Sequence, residues 1–162
     1  MIELESSELA SFFKSNQYRK ILIIGLPGSG KTTLGKKIES QLKIPHYEMD
    51  QLLWMDSKGG AIRDDFLNEV RQILKKDQWI IEGQLRRISH LIHEVDLLIK
   101  ITPAKKLLLK RLIQRDLKEF IKRKRTTSDF IFVLKDLLKG SKKRKMTEEQ
   151  VIRCSKKKIH LV

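Results

Sequence analysis

The chain has 162 residues, a single cysteine, and 34% charged against 40% hydrophobic residues. That length suits one domain with its own core; the lone Cys154 excludes a disulfide framework, and no apolar run reaches the length of a membrane span. The formal charge of +15 is uneven: residues 1–100 hold 15 Lys/Arg against 14 Asp/Glu, and residues 101–162 hold 20 against 6. Residues 1–11 carry three glutamates and no apolar core, so they do not read as a signal peptide, and a reducing, cytoplasmic setting is expected.

In chain order, residues 6–16 read as a helical extension with Leu9, Phe12 and Phe13 on one side. Ile21-Leu22-Ile23-Ile24 is a continuous apolar run, suited to a strand at 20–24 buried on both faces. A helix over 31–43 follows, with Leu34, Ile38 and Leu42 recurring every four residues. Pro45 stops it, and residues 45–50 lead through a second strand. Residues 56–61, with Gly59-Gly60, read as a loop. Phe66, Leu67, Val70, Ile73 and Leu74 set an amphipathic helix over 63–76.

Trp79-Ile80-Ile81 is a short buried strand ending at Glu82-Gly83, and Asp96 to Ile101 is another, stopped by Thr102-Pro103. A long basic helix is expected over 104–125, then a short apolar helix over 130–139. The run Lys142-Lys143-Arg144-Lys145 reads as an exposed basic loop. Thr147-Glu148-Glu149-Gln150 is a capping box opening a last helix, and residues 159–162 form a final strand. Strands alternating with helices predict a parallel α/β sheet covered on both faces.

Residues 25–33 read Gly-Leu-Pro-Gly-Ser-Gly-Lys-Thr-Thr, the pattern G-x-x-x-x-G-K-[ST] followed by a spare hydroxyl. Its place between strand and helix is the context that a phosphate-binding loop requires. Backbone N–H groups of such a loop point at phosphate oxygens, and the helix dipole adds positive character. Gly25, Pro27, Gly28, Ser29, Gly30, Lys31, Thr32 and Thr33 are therefore the expected ATP-binding residues. Lys31 reaches the β- and γ-phosphates, and the Thr32 hydroxyl is a ligand for Mg²⁺. A parallel sheet binds ligands at the carboxyl ends of its strands, which puts Asp50 and Glu82 on the rim that carries the loop. Asp50 reads either as a general base for a hydroxyl acceptor or as an orienter of the metal's water shell. Glu82 is a second metal-shell candidate. Trp54 suits either an acceptor-stacking surface or a core position.

The P-loop, Asp50-x-x-x-Trp54, Trp79-Ile80-Ile81-Glu82-Gly83 and the basic helix after Pro103 together resemble the adenylate-kinase-like P-loop kinases. Within them the chain is most similar to the bacterial group named DNA topology modulation proteins, over residues 20–162. The resemblance implies a three-layer sandwich around a five-stranded parallel sheet of order 2-3-1-4-5, one domain, and a basic LID-like region near 115–145. It implies phosphoryl transfer from ATP·Mg²⁺ to a nucleotide, nucleoside or small alcohol. It also implies acceptor contacts from Arg63 and Arg87, with Arg86 as the neighbouring alternative, and transition-state charge from Arg111 and Arg115. In place of the group's Asp-Gly turn the chain has Glu82-Gly83, a carboxylate expected to sit further out. The basic second half keeps a second class open, a nucleic-acid-associated ATP-binding protein whose binding falls steeply with salt.

Overall fold

The computed structural model describes residues 2–4, 12–13, 17–54, 65–83, 88–104, 107–108, 110–111, 113–114, 149 and 151–161. Six strands form one parallel sheet: β1 (Ile2–Leu4), β2 (Lys20–Gly25), β3 (His46–Glu48), β4 (Trp79–Glu82), β5 (Val95–Ile101) and β6 (Ser155–Leu161). Their order is β1-β6-β5-β2-β4-β3. The helices described in full are α1 (Lys31–Leu42), α2 (Met49–Trp54) and α3 (Phe66–Leu74). A 3₁₀ turn at Ser89–Leu91 precedes β5.

The five expected strands lie in the expected order, and one edge strand is added. Ahead of the helical stretch expected at 6–16, the chain opens with β1, which pairs Ile2 with Ile159 and Leu4 with Leu161. Three residues of strand leave no periodicity for a sequence reading to detect. Phe12–Phe13 are helical as expected. Phe13 is buried, and the Phe12 and Tyr18 rings stack with centroids 5.5 Å apart. Lys157 of β6 lays its ammonium 4.8 Å from the Phe12 ring centroid, so the extension is fastened to the sheet by apolar contact and cation–π attraction.

β2 explains the centre of the fold. Ile21, Leu22, Ile23 and Ile24 are all buried because both sheet faces are covered. Ile21 and Ile23 join Ile38 of α1, Ile80, Leu97 and Ile99 on one face. Leu22 and Ile24 join Phe66, Val70 and Ile73 of α3, with Trp79 and Ile81, on the other. Each such side chain contributes roughly 1.5–3 kcal/mol of transfer free energy on full burial.

Two boundaries differ from expectation. The second strand is confined to His46–Glu48, and Asp50 lies in the first turn of α2. β6 starts at Ser155, four residues before the apolar run that announced it. Its leading lysines find partners that spacing does not display: Lys156 pairs with Asp96 at 3.1 Å, and Lys157 covers aromatic rings. Of the basic helix expected over 104–125, Ala104 is not helical, and the described positions 107–108, 110–111 and 113–114 are. The helix expected at 130–139, the basic loop at 142–145 and the whole LID-like region at 115–145 lie outside the described residues. Among the described residues no helix is long and apolar enough to cross a membrane.

Candidate functional site

The loop between β2 and α1 turns back on itself at Gly28 and Gly30, whose φ values of 77° and 96° lie in the left-handed region. A side chain there would be strained. The Ser29 amide donates to the Leu26 carbonyl at 3.1 Å, and the Leu34 amide donates to Gly30 at 3.0 Å to start the helix. The Lys31 ammonium folds over the loop to donate to the Leu26 carbonyl at 3.2 Å. The Ser29 hydroxyl is buried without a hydrogen-bond partner among the described residues. Thr33 is exposed at the start of α1.

Three more elements bring charge to this loop. Glu82 ends β4 with only 3% of its surface exposed, and its Oε1 accepts a 2.6 Å hydrogen bond from the Thr32 hydroxyl. The carboxylate, set further from the backbone than an aspartate's, spans the gap from β4 to the start of α1. Asp50 comes to the same place from α2. Gly83, at φ 113°, brings its backbone so close that an added Cβ would stand 3.2 Å from Asp50 Oδ1. Arg111 arrives from the helix after β5, its Nη1 3.7 Å from where a Cβ on Gly30 would be.

Burial pushes the Glu82 carboxyl above its usual range. The Thr32 hydrogen bond and the Lys31 ammonium oppose that rise, and the Asp50 and Glu48 carboxylates reinforce it.

Glu48 is the residue that sequence reasoning missed. β3 and β4 pair in register with Glu48 opposite Glu82, so both carboxylates stand on one face, the face toward α1. Like charges directly opposite one another destabilise a sheet. Here each is matched by a donor, Thr32 for Glu82 and Lys36 for Glu48, the latter at 3.1 Å. Two strand-terminal glutamates were visible in the sequence, but the register that pairs them was not. Among the described residues no three His, Cys, Asp or Glu side chains cluster to hold a metal by themselves; Thr32, Glu82 and Glu48 could hold a magnesium ion only together with bound phosphates.

The structure thus brings Lys31, Thr32, Glu82, Asp50 and Arg111 together on the carboxyl edge. Trp54 closes α2. Arg63, Arg86, Arg87 and Arg115, expected to face the acceptor or the phosphates, lie outside the described residues. So do the basic runs 122–125 and 142–145 of the second half.

No family model matches the chain. A curated shikimate kinase from Enterococcus faecalis (strain ATCC 700802 / V583) is 41% identical over 46 residues, 28% of this chain and 27% of that protein. The aligned part is therefore about a quarter of the curated relative. Among solved structures, a shikimate kinase from Acinetobacter baumannii in complex with shikimate superposes with a TM-score of 0.53 at 16% identity, covering 93% of this chain and 86% of that one. The chain shares the fold of that structure: counted from β2, its five expected strands lie in the order 2-3-1-4-5 beside the loop at residues 25–33.

Proposed function

We propose that the protein is an ATP-dependent small-molecule kinase that transfers the γ-phosphoryl group of ATP·Mg²⁺ to a hydroxyl of a small acceptor. The observation that carries this reading is the 2.6 Å bond between Thr32 and Glu82, which joins the P-loop to a carboxylate of the neighbouring strand. A phosphate loop used only for binding has no need of acidic groups beside it, whereas phosphoryl transfer needs a bound divalent cation and controlled charge at the transferring group. The short stretch shared with one shikimate kinase and the fold shared with another support the same class.

In this reading the loop amides and Lys31 hold the β- and γ-phosphates, and Thr32, Glu82 and Glu48 hold magnesium or its waters. Magnesium, when bound, neutralises charge that develops between the phosphates. Asp50, on the acceptor side of Gly83, accepts the proton of the attacking hydroxyl. Arg111, beside Gly30, supplies positive charge over the loop. Arg63, Arg87 and Arg115 complete the acceptor and phosphate contacts, with Trp54 as a stacking surface, and the cytoplasm supplies the nucleotide. The similarity to the DNA topology modulation group is kept as the narrower assignment within these kinases.

The test is ATP turnover against shikimate, other small alcohols, nucleosides and nucleoside monophosphates, with product identified by mass. At least one hydroxyl acceptor is expected to be phosphorylated, and Asp50→Asn should lower kcat by roughly 10²-fold or more while ATP affinity holds. Absence of phosphorylated product across the panel contradicts the kinase reading. Undiminished turnover by Asp50→Asn removes the base role.

A further inference from the structure

The pairing of Glu48 with Glu82 raises a question that the kinase reading alone does not answer: what balances two carboxylates on one face when no divalent cation is bound. α1 answers it with residues four apart. Thr32 and Lys36 lie one above the other on a helix face. The first donates to Glu82 at 2.6 Å and the second to Glu48 at 3.1 Å. The second Glu48 oxygen accepts from Gln51 of α2 at 2.7 Å. The helix that follows the phosphate loop therefore offers one neutral donor and one ammonium to a pair of glutamates in register.

We propose that Lys36 is an internal counter-ion that sets the affinity of this site for its divalent cation; the inference rests on the metal reading given above. The Glu48 side chain is only 17% exposed, while that of Lys36 is 62% exposed. The carboxylate is thus fixed by its surroundings and the ammonium is free to swing toward water. With no cation, Lys36 neutralises Glu48 and relieves its repulsion with Glu82. With a cation on the pair, the ammonium is a like charge close by and weakens binding. One positive charge at such a separation, near a protein surface, alters divalent affinity by roughly three- to tenfold. Lys36 acts through Glu48 and is a positioning residue rather than a catalytic one. Its work is to keep the pair balanced at low cation concentration and to leave metal binding readily reversible.

The experiment uses Mn²⁺ as a spin probe with the full chain and ADP, reading bound metal from loss of the free-ion electron paramagnetic resonance signal. Lys36→Met removes the charge and keeps the length; Lys36→Arg keeps the charge. Lys36→Gln repeats the neutral substitution should the methionine variant aggregate. The expected result is Mn²⁺ binding roughly fivefold tighter in the neutral variants and unchanged in Lys36→Arg, with ADP affinity in the absence of metal equal in all. Equal Mn²⁺ affinity in wild type and neutral variants makes Lys36 a surface ion pair only and overturns the proposal. Weaker binding in the neutral variants also overturns it and assigns the ammonium to the phosphates. Failure of the wild type to retain Mn²⁺ with ADP overturns the underlying metal reading, an outcome distinct from either.

Discussion

Gly35 shows how closely single residues are fitted behind the P-loop. It lies buried in α1, and an added Cβ would overlap His46 Nε2 and come within 2.7 Å of Cδ2 of the same ring. The His46 amide donates to Glu39 one turn further along α1, at 3.1 Å. Burial holds the His46 ring below its usual pKa, against the pull of the Glu48 and Glu39 carboxylates. Alanine would favour the helix by about 1 kcal/mol over glycine. The overlap with a ring held between α1 and β3 outweighs that gain. Gly35→Ala is expected to destabilise the protein by about 1–3 kcal/mol in urea unfolding; equal or raised stability would show that the ring has room to move.

The same scale shows why some site residues were legible and others were not. Lys31 and Thr32 stood in one contiguous motif, so local spacing was enough. Glu82 was named as a metal-shell residue from its place at a strand end, but its reach into α1 depends on which face of β4 it occupies. Glu48 and Asp50 both fall in the stretch 45–50 that the sequence leads through one strand, and only the end of β3 at Glu48 and its register against β4 separate their places.

At the level of elements, the strands are aligned at their amino ends by Asp96. Its carboxylate accepts from the amides of Lys20 at 3.0 Å and Arg19 at 3.1 Å, and from Lys156 at 3.1 Å. One side chain on β5 therefore holds the starts of β2 and β6. Burial pushes its pKa up, but these amides and the Lys156 ammonium outweigh that and hold it below the usual value of 3.8. A carboxyl depressed by folding contributes stability above its unfolded pKa and loses it as pH falls through the folded value. Asp96→Ala is expected to cost about 1–3 kcal/mol at pH 7. The gap to wild type should narrow as the pH is lowered from about 4 through the depressed value. A gap that stays constant through that range would mean that the charge of Asp96 has no part in the alignment.

The long apolar strands β2 and β5 and the periodic helix α3 could be read from sequence, since burial on two faces or one stripe leaves a pattern. β1 and the first half of β6 could not. Their residues are fixed by non-local partners, Ile159 and Leu161 for β1, and the Phe12 and Tyr18 rings for Lys157.

Over the whole molecule, the parallel order gathers the functional groups on one rim. β2, β4 and β3 end side by side and deliver the P-loop, Glu82-Gly83 and Glu48 to adjoining positions. The helix after β5 returns Arg111 to Gly30. None of these groups is near another in sequence except within the loop; the topology makes them a site. Calorimetric titration with ADP·Mg²⁺ shows whether this rim binds nucleotide as one site. Wild-type protein should bind with one site per chain, and Lys31→Ala should lose about 10²-fold or more in affinity through the missing contact to the β-phosphate. Undetectable binding by the wild type, or equal affinity in Lys31→Ala, would contradict a nucleotide site on this rim.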